Sequence, residues 1–111
     1  NYGYAARRNM NKHKKIHESY FTEIIQYDFI KKVHRLHRFP EGQFVGEPTF
    51  VPHPYKDSEA DGVILAFVYD ENSGKSKLVV IDPLNFDKEP IAVVELPFRV
   101  PNGFHGDWVG F

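Results

Sequence analysis

Residues 61–81 read DGVILAFVYDENSGKSKLVVI and contain two apolar runs on either side of a polar turn. Branched and aromatic side chains fill both runs, at 63–69 and 77–81, and such side chains favour β-strands. The intervening residues 72–75, NSGK, are typical of a tight connection between antiparallel strands. This stretch therefore predicts a β-hairpin and, with it, an antiparallel sheet.

The regions around the hairpin repeat the same pattern of short apolar runs and turn residues. Further strands are predicted at 44–51 and 91–96, each bounded by glycine or proline, which makes a four-stranded antiparallel meander. A propeller blade has this form, although a small barrel or a sandwich fits equally well. Strands at 2–6, 20–30 and 33–39 belong to a preceding unit, with 7–18 as a loop and a hairpin closing at Lys31-Lys32.

The composition limits the chain to one β-rich globular unit. Its 111 residues are 41% hydrophobic and 26% charged, with ten Phe, six Tyr and one Met. Aromatic side chains suit a pleated surface, so an all-helical bundle is excluded. The chain has no cysteine, which excludes disulfides and thiolate metal sites. Its length is that of one domain or of a piece of a larger one.

The charge is unevenly distributed along the chain. Residues 1–40 carry nine basic and three acidic side chains, whereas 41–111 carry five basic and twelve acidic ones. Solvated strand faces account for such a pattern, and an anionic partner of the basic segment 7–38 is the alternative. No apolar run reaches the roughly 20 residues that a membrane-spanning helix needs, and no signal peptide is evident. Because the first residue is Asn1, we expect a processing site or a truncation there.

Two residues are candidates for a metal site. His105 lies between Gly103 and Gly106, and flanking glycines allow a loop to direct an imidazole inward. A ligating imidazole usually donates its second ring N–H to an acceptor, often a carboxylate. Glu47, on the predicted strand 44–51 between Gly46 and Pro48, is a candidate for that acceptor.

The other histidines offer weaker patterns. His13 and His17 have i, i+4 spacing but no glutamate between them, so a helical metal motif is not supported. His34 and His37 lie on the basic hairpin, and we expect both to be solvated. Residues 73–76, SGKS, end like a phosphate-binding loop but lack its first glycine, which favours a simple turn.

Two longer motifs resemble a known family. Residues 44–52 read FVGEPTFVP and residues 95–108 read ELPFRVPNGFHGDW. With DG at 61–62, SKLVVID at 76–82 and NF at 85–86, they resemble the carotenoid cleavage oxygenases. That family comprises carotenoid and apocarotenoid dioxygenases, stilbene-cleaving dioxygenases and retinoid isomerases. The resemblance covers about residues 40–108 well and 24–39 more loosely.

The resemblance implies an all-β fold, the C-terminal portion of a seven-bladed β-propeller, with about one and a half to two blades in this chain. Residues 1–40 are then a partial blade, 41–98 the final blade and 99–111 a loop that carries an iron ligand. In the family four histidines bind Fe(2+) on the propeller axis, and glutamates hydrogen-bond to them. His105 corresponds to the last histidine and Glu47 to one of the glutamates. The other three ligands are expected outside this chain.

The implied activity is oxidative cleavage of a carbon–carbon double bond in a carotenoid, apocarotenoid or stilbene, giving two carbonyl products. The expected partners are dioxygen, the polyene or stilbene and the rest of the propeller, with no nucleic acid. A peripheral membrane contact suits lipid-soluble substrates, although no amphipathic patch is evident in the sequence. The isolated chain is expected to be inactive.

Two other interpretations remain open. One is a non-enzymatic β-domain that binds an anionic partner through its basic N-terminal segment, and the other is a structural β-domain without a site. The sequence does not determine the compartment; a soluble or peripheral membrane protein is expected, cytoplasmic in a bacterial source.

Overall fold

A computed structural model describes residues 2–8, 21–54 and 61–100, which form an all-β fold. Its strands are β1 (Tyr2–Arg7), β2 (Glu23–Asp28), β3 (Val33–Arg38), β4 (Gln43–Val45), β5 (Thr49–Pro52), β6 (Gly62–Asp70), β7 (Lys75–Ile81) and β8 (Ala92–Glu95). A short 3₁₀ helix, Pro83–Asn85, follows β7. Within the described ranges no helix is long and apolar enough to cross a membrane.

The first sheet contains three antiparallel strands in the order β1-β2-β3. All three were predicted, with β2 shorter than the apolar run around it. The turn between β2 and β3 passes through Lys32, whose φ of 56° lies in the left-handed region. Asp28 stabilises this turn because its Oδ1 accepts hydrogen bonds from the backbone N–H groups of Ile30 and Lys31, each at 3.0 Å.

The second sheet confirms the predicted meander. Its strands run in the order β4-β6-β7-β8, and β5 also pairs with β6. The β6–β7 connection is the predicted turn, in which Gly74 has a φ of 70° and Asp70 accepts a hydrogen bond from the N–H of Asn72. Glycine adopts this left-handed conformation without the steric cost that a Cβ would add.

The core lies between the two sheets. Alternate residues of β6, namely Ile64, Ala66 and Val68, point toward the first sheet, and Ile81 and Val79 lie opposite the first two. Burial of such side chains stabilises the fold by roughly 1.5–3 kcal/mol for each large aliphatic residue. Ile24 from the first sheet, Val45 from β4 and Phe86 from beyond the 3₁₀ helix complete this cluster.

Polar side chains of the first sheet hold the segment 83–86. Gln26 Nε2 donates to the Pro83 carbonyl at 2.8 Å, Arg35 Nη1 to the Leu84 carbonyl at 3.1 Å, and His37 Nδ1 lies 2.7 Å from the Phe86 carbonyl. Since a carbonyl only accepts, His37 Nδ1 carries the proton. We call these three contacts the joint.

The joint contradicts one prediction. His37 was expected to be solvated, but it is only 8% exposed. It lies opposite Ile24 on the face of the first sheet that meets the core, so the strand register buries it. His34 lies three residues before His37 and therefore on the opposite face of β3, and it is exposed as predicted.

Candidate metal centre

Glu47 lies in a break between two strands. The sequence predicted one strand over 44–51, but the pairing stops after Val45 and resumes at Thr49. Val45 lies opposite Val68 and Thr49 opposite Leu65, so three residues on this side face two on β6. One extra residue in a strand pair is a β-bulge, a feature common near functional sites.

The bulge has a local cause in the sequence. Pro48 has no N–H and cannot donate to a ladder, which restricts it to edges and bulges. Two residues before Pro48, the N–H of Gly46 donates to the Phe67 carbonyl at 2.9 Å. β4 and β5 form an edge of the second sheet, and the bulge exposes the Glu47 side chain there.

The segment that leads toward His105 is fixed along the start of β7. The N–H of Leu96 donates to the Ser76 carbonyl at 2.9 Å, and the N–H of Ser76 donates to the Phe98 carbonyl at 3.0 Å. Ser76 Oγ accepts a further bond from the N–H of Val100 at 2.8 Å. His105 itself and the rest of 101–111 lie outside the described residues, so its pairing with Glu47 stays a prediction.

The described residues alone do not form a metal site. Within 2–8, 21–54 and 61–100, no group of three or more His, Cys, Asp or Glu side chains is arranged to hold an ion. His13 and His17 fall outside these ranges. The His105 imidazole is the kind of nitrogen donor that iron takes, and the Glu47 carboxylate is the kind of acceptor that a ligating histidine needs for its second ring N–H. The two residues fit the implied metal as part of a site that needs further ligands.

A buried carboxylate on the first sheet, paired with two exposed arginines, was not predicted from the sequence. Glu23 is 1% exposed, and its two oxygens lie 3.6 Å from Arg7 Nε and 3.4 Å from Arg38 Nε. Both arginines are direct cross-strand neighbours of Glu23. This contact depends on the pairing register of β1, β2 and β3, which the sequence alone does not give. Because its oxygens face arginines, Glu23 is an ion-pair residue of the sheet.

Both faces of the second sheet are apolar. Opposite to the core face, β6 presents Leu65 and Phe67 and β7 presents Leu78 and Val80, all partly buried. An antiparallel sheet with one solvated face would alternate with polar residues. Two apolar faces are instead typical of a layer packed between neighbours, as a propeller blade is.

Comparison with solved structures gives the same architecture. The cobalt-substituted apocarotenoid oxygenase of Synechocystis superposes with a TM-score of 0.86 and 27% identity, over 99% of this chain and 22% of that one. An apocarotenoid oxygenase/RPE65 chimera gives 0.83 and 28%, with coverage of 99% and 22%. The fold is thus that of part of a β-propeller in the class of metal-dependent carotenoid oxygenases, as predicted.

Sequence comparison defines the family. The model described as RPE65, retinal pigment epithelial membrane protein, matches residues 1–110, and the chain belongs to this family. A carotenoid 9,10(9',10')-cleavage dioxygenase of Crocus sativus is 50% identical over 70 residues, 61% of this chain and 13% of that protein. Resveratrol cleavage oxygenase 1 of Botryotinia fuckeliana is 44% identical over 66 residues, 60% and 12%. The matched part of the chain therefore spans about an eighth of the length of these relatives.

Proposed function

We propose that the protein containing this chain is a non-haem iron(II) dioxygenase that cleaves a carbon–carbon double bond of a carotenoid, apocarotenoid or stilbene. Dioxygen would contribute one atom to each of two carbonyl products. Residues 1–40 would form a partial blade, 41–98 the final blade and 99–111 a loop carrying a ligand. The support comes from relatives named as cleavage dioxygenases of carotenoids and of resveratrol. Residues 1–111 on their own would have no activity, because they lack most of the ligands.

The single observation that carries this proposal is the position of Glu47 at a bulge on the edge strand of the second sheet. In a propeller blade one edge strand lines the central axis, where the metal would lie. A bulge redirects the side chains around it, which suits a carboxylate that must orient a ligand.

Strand geometry makes a contact between His105 and Glu47 feasible. Ser76 and Glu47 are two strands apart, or about 10 Å, and Glu47 lies three residues further along its strand, about 10 Å more. Their backbone separation is thus roughly 14 Å. His105 is five positions further along the chain than Val100, which is bonded to Ser76, and five extended residues reach about 17 Å.

The two residues would have distinct tasks. The His105 imidazole would hold the metal through one ring nitrogen. Glu47 would accept a hydrogen bond from the other ring nitrogen of a ligating histidine, which fixes the tautomer and raises the basicity of the ligand. When bound, iron(II) would supply the activation of dioxygen that neither side chain can provide.

The proposal is tested by the iron content and the cleavage activity of the whole protein. His105→Ala should remove bound iron and activity, whereas Glu47→Gln should weaken iron binding by about 10–100-fold. His34→Ala, which removes an exposed imidazole on the first sheet, is the matched control and should change neither. A His105→Ala variant that keeps stoichiometric iron and cleaves its substrate would refute the assignment.

We also propose that the β2–β3 turn, residues 29–33, contacts the surface of an anionic membrane. Phe29, Ile30 and Val33 are 56%, 76% and 52% exposed, and Lys31 and Lys32 between them are exposed as well. Apolar side chains that enter the headgroup region beside lysines that meet anionic lipids are the pattern of interfacial anchors. This amphipathic patch was not evident from the sequence.

Contacts within the first sheet fix the conformation of this turn before any membrane is bound. The Asp28 carboxylate fixes the backbone of Ile30 and Lys31, as described above. The Phe29 ring lies 4.9 Å from the Tyr27 ring, measured between centroids, and packs over Gly3, where a Cβ would come within 2.8 Å of it. A preorganised turn loses less conformational entropy when it binds.

Sedimentation of the whole protein with vesicles tests this contact. Binding should be stronger to phosphatidylcholine vesicles that contain phosphatidylserine than to phosphatidylcholine alone. Ile30→Ser should weaken it by about tenfold, and Lys31→Gln by about fivefold. Leu84→Ser, at a side chain 58% exposed on the 3₁₀ helix, is the control.

Two outcomes would contradict the membrane contact. Equal binding of all variants would remove the turn from the interface. If Lys31→Gln weakens binding and Ile30→Ser does not, the attraction is electrostatic alone and no apolar side chain enters the headgroup region, which favours the alternative interpretation of an anionic partner for the basic segment 7–38.

A further inference from the structure

Ser76 is a buried polar residue near the start of β7. It lies beside the segment in which the chain leaves β8, the last described strand. It is 3% exposed, although it directly follows the exposed Lys75 at the β6–β7 turn. Its backbone pairs with Leu96 and Phe98, which continues the β7–β8 ladder past Glu95. The burial of its hydroxyl is therefore due to the segment 96–100 lying against it.

Beyond the backbone ladder, the next hydrogen bond to the segment is made by the side chain of Ser76. The N–H of Val100 bonds at 2.8 Å to Ser76 Oγ, a side-chain oxygen, so the segment has turned off the strand direction. Pro97, which has no N–H to donate, lies between the two bonded residues Leu96 and Phe98 and interrupts the regular pairing there. This bond is part-buried, and a hydrogen bond of this kind contributes about 0.5–1.5 kcal/mol, so the hydroxyl favours the observed position of Val100.

A second contact fixes the face on which the segment runs. The Arg99 guanidinium lies over the Tyr69 ring, with its Cζ 4.4 Å from the ring centroid. Tyr69 is the direct cross-strand partner of Ser76, so both side chains project from the same face of the sheet. Arg99 and Val100 are thus held on the apolar face opposite the core, and Tyr69 lies beside Phe44 of the strand that leads to Glu47.

We infer that Ser76 is a positioning residue for the metal ligand His105. The inference rests on the proposed function, because it assumes that His105 binds the metal. His105 is five positions further along the chain than Val100, so a fixed position of Val100 limits the region that the imidazole can reach. The conformational entropy of Val100 is then lost during folding, so its loss does not weaken metal binding.

A purely structural role for Ser76 makes a different prediction. If its hydroxyl only satisfied the N–H of Val100, its loss would lower the stability of the protein and leave the affinity of the folded protein for metal unchanged. A positioning role requires the affinity itself to fall, since metal binding must then also fix the position of Val100.

The experiment is a titration of the metal-free whole protein with Co(II), followed by the visible spectrum of the bound ion. Ser76→Ala should weaken Co(II) binding by about fivefold, the equivalent of one hydrogen bond. Ser76→Thr keeps the hydroxyl and should restore most of the affinity. Ser73→Ala removes an exposed hydroxyl in the same turn, where it accepts a bond from the N–H of Lys75, and should leave the affinity unchanged.

The possible results separate this inference from the function on which it rests. Wild-type protein that binds Co(II) with the same affinity as Ser76→Ala would overturn the positioning role alone, even if the melting temperature falls. If His105→Ala binds Co(II) as tightly as the wild type, the proposed ligand is wrong and the inference fails with it. A loss of affinity in Ser76→Ala but not in Ser76→Thr or Ser73→Ala would support it.

Discussion

The interior of the second sheet and the joint between the sheets are both buried, but different forces hold them. In the interior, Ile64, Val79 and Ile81 are at most 1% exposed and contact other apolar side chains. In the joint, Gln26 and His37 are 4% and 8% exposed, and their polar atoms meet backbone carbonyls. The two regions therefore differ in the directionality of their contacts.

Because of this difference, the two regions have separate roles in the fold. Dispersion and burial of apolar area are not directional, so the interior stabilises the sheets without defining one arrangement of them. A buried hydrogen bond requires its partner at one distance and angle. The joint therefore determines how the first sheet is oriented against the second one, which carries Glu47.

The largest effect is expected where both regions meet, at Phe86. It is fully buried, with its ring centroid 5.9 Å from that of Tyr4 and 6.0 Å from that of His37. Phe86→Ala should lower the free energy of unfolding by about 3–5 kcal/mol, as measured by urea denaturation. Leu84→Ala, at an exposed side chain of the same segment, should change it by no more than about 0.5 kcal/mol. Similar losses for both variants would show that the segment is not part of the core.

A smaller loss is expected for Gln26, which tests the joint itself. Gln26→Leu keeps the side-chain size but leaves the Pro83 carbonyl without its donor, which should cost about 1–3 kcal/mol. Arg35→Leu removes the donor to the adjacent Leu84 carbonyl, an exposed contact that water can replace, so the loss should stay below about 0.5 kcal/mol. Equal losses in urea denaturation would mean that burial does not distinguish the two bonds.

The same contrast explains which parts of the fold were predictable from the sequence. The apolar run at 63–69 and the turn chemistry of residues 72–75 are local signals, and the hairpin and the meander follow from them. The position of His37 is not local, because it depends on the register of β3 against Ile24 and on a carbonyl 49 residues away. For the same reason the burial of Glu23 could not be anticipated.

At the candidate site, the residues were recognised from the sequence but their local structure was not. Gly46 and Pro48 were recognised as flanking Glu47, but the bulge that they produce was not, since a bulge appears only when two strands are paired. The motif residues Asp82 and Asn85 are also structural: Asp82 Oδ1 accepts from the N–H of Leu84 and Oδ2 from Asn85 Nδ2. A family motif can therefore mark the joint as well as the site.

The smallest effect is expected at Asp28, whose hydrogen bonds are exposed and lie at the far end of β2 from Glu23. The backbone N–H of Lys31, with help from that of Ile30, holds the pKa of Asp28 below its ordinary value of 3.8. A carboxyl whose pKa is lower in the folded state adds stability above the unfolded pKa and loses it as the pH falls through the folded pKa. Asp28→Asn should thus unfold at slightly lower urea than the wild type near pH 7, and the two curves should converge in acid below pH 3.8. A difference that persists or widens in acid would mean that the carboxylate charge does not hold the turn.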